Sequence, residues 1–526
     1  MGTLWVNGKI YTMNKEHEQA RAMYVEHGRI LKLGEEGHLR RTYAGRIKQI
    51  VNLEGKSVYP AFTDSHIHLI GYGEALDRID ATETTDLQAL LESMKQKDGS
   101  DRSDDWLVAE GFNDRLLGEM PTREMIDAVI PDRPVVLKRV CRHVAVVNSK
   151  GLERLGLIHH TVIEGGKLGR DAEGKLNGVL YDAALDLLHK ELGGNREKNV
   201  ASLHRAIDSL FAHGIVGAHT EDLFYHGDPL ETIQAYEDVL ADLPFHAHLL
   251  VHEQVVDQLI RHDALAKRPR FDFGAMKLFV DGSFGGRTAL LSEPYTDEPG
   301  QRGIEVHRPD HLEALVKKAR SYGMNVAAHV IGDAAAEQFI TLLEKYPAKR
   351  GTRDRIIHAS LLNDALLKRI QALPVLIDAQ PIFLSDDMNL LFDRLGNDRV
   401  DNAYRFKSML DTGALVLGGS DAPISSVDVR KGLYGAVTRQ SFEESGALNP
   451  TERLSMYEAL RSFTYAPRVA TGTHGRDGLL IQSYNATFTV WEEDFFELRG
   501  RDILDNRLVM TVVEGSPVYE ADVVNA

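Results

Sequence analysis

The middle of the chain alternates short apolar runs with longer amphipathic stretches. The apolar runs are VYPAFTDSHIHL, GIVGAHTE, FHAHLLVH, AMKLFVDG, NVAAHVIG, RIIHAS, VLIDAQP and ALVLGGSDAP, and each reads as a strand. Between them, segments such as HLEALVKKARSYG, AAAEQFITLLEKY and NDALLKRIQAL repeat apolar residues at helical spacing. Eight strand–helix repeats predict an α/β fold, a parallel (β/α)8 TIM-like barrel. Barrels of this kind gather their active sites at the C-terminal ends of the strands.

The two ends read differently. LWVNGKIYTM alternates apolar and polar positions, and MYVEHGRILKL gives two strand-like runs about a His27-Gly28 turn. NATFTVWEE and RLVMTVVEGSPVYE repeat the pattern near the other terminus. Residues 1–57 and 475–526 are therefore expected to build one small β-sandwich module from both ends of the chain. The first barrel strand falls within 58–70 and the rest of the barrel within 206–474. The roughly 145 residues between strands 1 and 2 far exceed an ordinary barrel loop. An inserted subdomain is expected over 71–205. An insertion after strand 1 would hang over the active-site face, where it can shape a substrate pocket.

Composition narrows the function. A chain of 526 residues with 43% hydrophobic and 26% charged residues has ample material for a barrel and smaller modules. Its net charge of −17 argues against nucleic acid or an anionic membrane as partner. With one cysteine, Cys141, neither an intrachain disulfide nor a thiolate metal cluster can form. The N-terminus lacks the basic-then-apolar pattern of a signal peptide, and no run of about 18 apolar residues occurs. A cytoplasmic location is expected.

The strand ends carry the chemistry. Strand 1 ends in Asp64-Ser65-His66-Ile67-His68. Side chains two apart on a strand share a face, so His66 and His68 point together into the barrel mouth. Two neutral imidazoles on one face make a half-site for Zn²⁺ or a similar metal. Strand 4 carries Lys277 in GAMKLFVDG. Alternation sends Met276, Leu278 and Val280 toward the helices, and Lys277, Phe279 and Asp281 toward the lumen. A buried lysine is costly unless it is paired or chemically changed. Two outcomes fit: a salt bridge to Asp281, or addition of CO₂ to the neutral amine, giving a carbamate anion that can bridge two metals. Strands 5, 6 and 8 offer His329 in AAHVIGD, His358 in RIIHAS and Asp421 in GGSDAP. Any one of these could be a core or cap residue. Their joint placement at corresponding strand ends points to a metal site.

PAFTDSHIHL, MKLFVDGSFGGRTALL, AAHVIGDAA, RIIHAS and GGSDAP resemble, in order, the motifs of the amidohydrolase superfamily. NSKGL and GRDAEGKLNGVL look like its YtcJ-like branch, which includes N-substituted formamide deformylases. The resemblance covers nearly the whole chain. It implies two divalent metal ions, with His66 and His68 on the first and His329 and His358 on the second. A carboxylated Lys277 would bridge them, and Asp421 would stand beside the bridging solvent. Zn²⁺ is the default ion, while Mn²⁺, Co²⁺, Ni²⁺ or Fe²⁺ fit similar ligands. This chain departs from the usual pattern in Pro60-Ala61 before strand 1, where proline–glycine is common. It departs again in His219-Thr220-Glu221-Asp222 after strand 2, where many relatives have a simpler acidic ending. The second departure bears on substrate class.

The implied activity is hydrolysis of a non-peptide carbon–nitrogen bond in a small amide-type substrate, an N-acyl or N-formyl amine. Asp421 would take a proton from the attacking water and deliver it to the leaving amine. His143, His219, Asp281 and Arg287 are candidates to hold the substrate or orient the ligands. Packing competes with that role for His143, and a salt bridge to a nearby carboxylate competes with it for Arg287. A mononuclear deaminase of a heterocycle would need a glutamate after the strand-5 ligand, where this chain reads His329-Val330-Ile331-Gly332-Asp333. A lactone or carbamate hydrolase could use the same residues. A non-catalytic regulatory protein would be marked by lost ligands, and all six residues are present. The sequence holds no P-loop, HExxH or nucleophile elbow. Such barrels often dimerise, and nothing in the residues specifies it.

Overall fold

The computed structural model of the chain describes residues 2–82, 84–100, 106–139, 144–157, 161, 166–182, 184–443 and 446–521. Eight parallel strands form one sheet in chain order. They are β1 (Phe62–Ile67), β2 (Ile215–Thr220), β3 (His246–His252), β4 (Phe271–Phe279), β5 (Val326–Val330), β6 (Asp354–His358), β7 (Val375–Ala379) and β8 (Leu415–Gly418). Each predicted strand is present. Backbone hydrogen bonds just past the strand ends join β1 to the segment after β8, from Asp421 N to His66 O (2.7 Å) and from His68 N to Ala422 O (2.9 Å). The sheet thus closes on itself as a TIM-like barrel.

The helices between strands start where the sequence supplies caps. Asp228 accepts from the amides of Leu230 and Glu231 ahead of Pro229–Asp242, and Asn363 caps Asp364–Ile370. Met276, Leu278 and Val280 pack with Leu312, Leu315 and Val316 of helix Pro309–Ser321 in one apolar core. That leaves Lys277 and Phe279 for the lumen, as alternation requires.

The β module draws on both termini. Phe488–Trp491 runs antiparallel to Ser57–Pro60, with Thr489 opposite Tyr59. That pair belongs to a six-stranded sheet with Lys9–Tyr11, Gln19–Ala20, Leu508–Val513 and Ser516–Glu520, and a four-stranded sheet of Gly2–Val6, Ala22–Glu26, Arg29–Gly34 and Ile47–Asn52 faces it. Trp5 meets Phe488 edge-on at 4.9 Å in the core between them. His27 and Gly28 have φ of 52° and 74°, the pair of positive values that a tight hairpin needs. LWVNGKIYTM is not one alternating strand. It breaks at Asn7 (φ 55°), and its halves, Gly2–Val6 and Lys9–Tyr11, enter different sheets.

The chain divides into two compact units, residues 1–72 with 199–526 and residues 73–198. The second unit, inserted between β1 and β2, has its own six-stranded sheet and a core on each face. Leu137 and Val146 join Leu90, Leu91 and Met94 of helix Leu87–Ser100 on one side. Val136 and Ala145 join Leu185 and Leu188 on the other. Cys141 and His143 lie outside the described residues. Among the described residues no helix is long and apolar enough to cross a membrane.

Candidate metal centre

The centre is assembled where the barrel closes. Asp64 Oδ1 accepts from the amides of His66 (3.0 Å) and Ser420 (3.1 Å), tying the end of β1 to the loop after β8. A Cβ on Gly419 would lie 2.7 Å from His66 N, so the approach needs a glycine. The result brings Asp421 Oδ1 to 3.4 Å from both His66 Nε2 and His68 Nε2. Asp421 (φ 58°) and His358 (φ 71°) both hold left-handed backbone, a strain of about 1–3 kcal/mol each that persists only where the surroundings impose it.

Four imidazoles form a contiguous arc. Ring centroids are 5.6 Å apart for His66–His68, 5.4 Å for His66–His358 and 4.5 Å for His358–His329. Three of the rings are anchored by an oxygen that can only accept. His68 Nδ1 donates to Glu221 O (3.2 Å), His329 Nε2 to Gly282 O (2.9 Å) and His358 Nδ1 to Gln380 Oε1 (2.7 Å). Gln380 is itself oriented by its Nε2, which donates to Asp378 O. Each anchored ring nitrogen must carry its proton, so the opposite nitrogen offers a lone pair. This is how protein metal ligands are commonly held.

Electrostatics favour neutral rings. Burial holds His66 and His329 well below the usual imidazole range, with the charge of Lys277 acting in the same direction. Burial also lowers His358, against the pull of Asp421. His68 goes the other way: burial pulls it down, but the Asp421 carboxylate outweighs that and raises it. Its extra proton would sit on Nε2, toward Asp421, where a metal ion competes for the same lone pair. Ligand atoms of His66, His358 and Asp421 lie within 4.8 Å of one another. Among the described residues His66 Nδ1 and Asp421 Oδ1 are buried without a hydrogen-bond partner. The lone pairs left on the anchored rings and the bare Asp421 oxygen fit a cation, and the residues present suit a divalent metal.

Lys277 is buried at the edge of this arc, with Nζ 4.6 Å from the centre of the Phe279 ring. Its ion pair is with Glu221 Oε2, at 3.7 Å, and not with Asp281. Asp281 instead accepts from the amides of Leu290 (2.9 Å), Ile331 (3.0 Å) and Gly332 (2.7 Å), fixing the loops after β4 and β5. Burial lowers the Lys277 ammonium from its usual value, opposed by the charges of Glu221 and Asp421. The shift raises the share of neutral amine, the form to which CO₂ adds.

The structure therefore brings together all six sequence-selected residues except that Lys277 meets the arc through Glu221. The other four candidates scatter. Asp281 stands 3.9 Å from His329 Nε2. His219 is buried, its Nδ1 3.1 Å from Arg355 Nη2 and its ring 5.0 Å from that of His248. Arg287 makes the salt bridge that competed with a substrate role, to Asp297 (2.8 Å) and Glu298 (3.3 Å). His143 is outside the described residues. Two further residues join the centre without a motif of their own: Gln380, whose signal is its place directly after β7, and Glu221, two residues beyond His219.

Aromatic side chains rim the arc. Tyr225 lies 6.1 Å from the His68 ring, Phe279 5.3 Å from His329, and Phe383 stacks 6.0 Å from His358. Phe224 stacks on His252 at 4.4 Å. Tyr225 and Phe224 are 45% and 37% exposed, high for large apolar groups beside a buried polar centre.

The sequence matches the amidohydrolase family over residues 49–519. It is 39% identical to the YtcJ protein of Bacillus subtilis (strain 168), over 99% of this chain and 100% of that one. It is 25% identical to the N-substituted formamide deformylase of Arthrobacter pascens, over 98% of each. An uncharacterized metal-dependent hydrolase from Pyrococcus horikoshii ot3 superposes with a TM-score of 0.79 at 28% identity, covering 95% of this chain and 99% of that one.

Proposed function

Since this chain belongs to the amidohydrolase family and is a metal-dependent hydrolase, we propose that it cleaves a non-peptide carbon–nitrogen bond in a small N-acyl or N-formyl amine. The observation that carries this reading is the anchoring of His68, His329 and His358 through one ring nitrogen each, with the other left to a metal. His66 and His68 would hold one divalent ion, His329 and His358 a second, and a carbamate on Lys277 would lie between them. Zn²⁺ suits the imidazole-rich donor set. When bound, the pair supplies a water acidic enough to attack at neutral pH and a Lewis acid for the substrate carbonyl.

The chain's own residues do the rest. Burial pushes the Asp421 carboxyl up, but the hydrogen bond of the His68 ring and the charge of Lys277 help to outweigh this and bring it below the usual carboxylate value. An ionised carboxylate here can take the proton of the attacking water and return it to the departing amine nitrogen. The Gly282 carbonyl positions His329 and Gln380 positions His358, while Asp281 fixes the loops that carry Gly282 and Ile331. The rim of Tyr225, Phe224, Phe279 and Phe383 supports an apolar or aromatic substituent on the substrate. The likeness to an N-substituted formamide deformylase supports a formyl or small acyl group.

Metal analysis of protein purified without chelators tests the reading, with about two equivalents per chain expected. Amine release from a panel of N-formyl and N-acyl amines is expected to follow metal loading. A chain that takes up no metal even with added Zn²⁺ and bicarbonate would overturn the proposal.

A further inference from the structure

Glu221 directly follows β2, and its side chain is fully buried. Among the described residues neither carboxylate oxygen accepts a hydrogen bond. A carboxylate taken out of water without donors costs several kcal/mol and needs a cation. The ion pair it has, to Lys277 Nζ at 3.7 Å, is longer than the roughly 2.7–2.9 Å of a charge-assisted hydrogen bond.

The neighbouring residue shows that donors are at hand. Asp222 Oδ2 accepts from Thr220 Oγ1 (2.7 Å), Tyr236 OH (2.5 Å) and Ile70 N (3.3 Å). One oxygen of that carboxylate has three donors, and His226 Nε2 stands 3.5 Å from the other, whereas one residue away neither oxygen of Glu221 accepts a hydrogen bond among the described residues. The Glu221 main chain is already part of the centre, since its carbonyl anchors His68. Its side chain bears on Lys277, His68 and Asp421 electrostatically. The carbamate on Lys277 sharpens the problem. Adding CO₂ to the Nζ removes the cation opposite Glu221 and puts a second anion in its place.

We propose that Glu221 is a further metal ligand, its carboxylate binding the same divalent ions as His68 and the Lys277 carbamate. This rests on the metal-centre reading above. The bare oxygens are then the ligand's free lone pairs, and the metal is the missing partner.

Glu221→Gln preserves shape and removes the charge. After dialysis against a weak chelator, wild-type protein is expected to keep about two metal equivalents and Glu221→Gln about one or fewer. The variant's metal affinity is expected to fall at least ~10-fold, no less than the loss of a mere outer partner of a ligand costs. A folded Glu221→Gln variant with wild-type content and affinity would overturn the inference while leaving the metal centre standing. The second measurement needs no variant. A crystal structure of the Zn²⁺-loaded wild type is expected to place a Glu221 oxygen about 2.0–2.2 Å from an ion. Metal bound with Glu221 beyond reach would overturn this inference alone, and a wild type that binds no metal would overturn both.

Discussion

Two buried polar clusters share the lumen of one barrel, and they are treated in opposite ways. Earlier along the strands than the metal-centre arc, Arg355 donates to both oxygens of Asp378 (2.8 and 2.6 Å) and to Ser65 O (3.0 Å), with His219 Nδ1 at 3.1 Å. Beside it, His248 Nδ1 bonds Asp272 Oδ1 at 2.6 Å. At the strand ends, His66 Nδ1, Asp421 Oδ1 and both oxygens of Glu221 lack any hydrogen bond among the described residues. Both clusters are removed from water, so solvation does not separate them. Satisfaction does: the first cluster closes on itself, and the second leaves these polar atoms without hydrogen bonds, with only the Lys277 ammonium, 3.7 Å from Glu221, to offset its carboxylates. A buried network that completes its own hydrogen bonds is a structural element, and one that does not is waiting for something positive.

That contrast can be broken from either side. The largest effect is expected at Asp421→Asn, which keeps the shape and removes the base; turnover should fall about 10²–10⁴-fold. Steady-state kinetics on a cleaved amide reads this, and a variant keeping more than about one-tenth of wild-type turnover would remove Asp421 from proton transfer. Next comes Arg355→Met, which strands Asp378 as an uncompensated buried anion. Urea denaturation should register a loss of about 3–5 kcal/mol, and a change below about 1 kcal/mol would mean the lower cluster is dispensable. Gln380→Ala unhooks His358 without touching a ligand. Metal affinity measured by competition with a chromophoric chelator should drop about 10–100-fold, and unchanged affinity would show that the anchor is idle. The smallest effect is expected for Tyr225→Ala. It should raise KM for aromatic N-acyl amines by an amount worth about 0.5–1.5 kcal/mol, with little change for N-formyl methylamine. An equal rise for both substrates would detach the aromatic rim from specificity.

Much of this was legible in the chain. The eight strands show as apolar runs because strands of a parallel barrel are buried on both faces, and their ends carry His66, His68, His329, His358 and Asp421 in local motifs. Alternation places Lys277 in the lumen, and of the two outcomes open to it the salt bridge to Asp281 is not the one formed. Asp281 is four residues away in sequence and spends its oxygens on backbone amides, whereas Glu221 comes from another strand altogether. The Arg355–Asp378–His219 cluster was invisible for the same reason. Its members lie on three strands, and no local pattern states which lumen residues meet. At the N-terminus, alternation through LWVNGKIYTM hid a break, because a residue with positive φ at Asn7 can redirect a strand without changing its period.

The seam at which the barrel closes has a consequence in time. His66 and Asp421 meet only when a backbone bond forms between residues 355 positions apart in the chain. A growing polypeptide therefore carries four imidazoles and a lysine long before it carries a centre, and no truncated chain ending before β8 could hold the arc together. Contacts so distant in sequence are slow to form. The activity arrives last, and it arrives together with the closed fold.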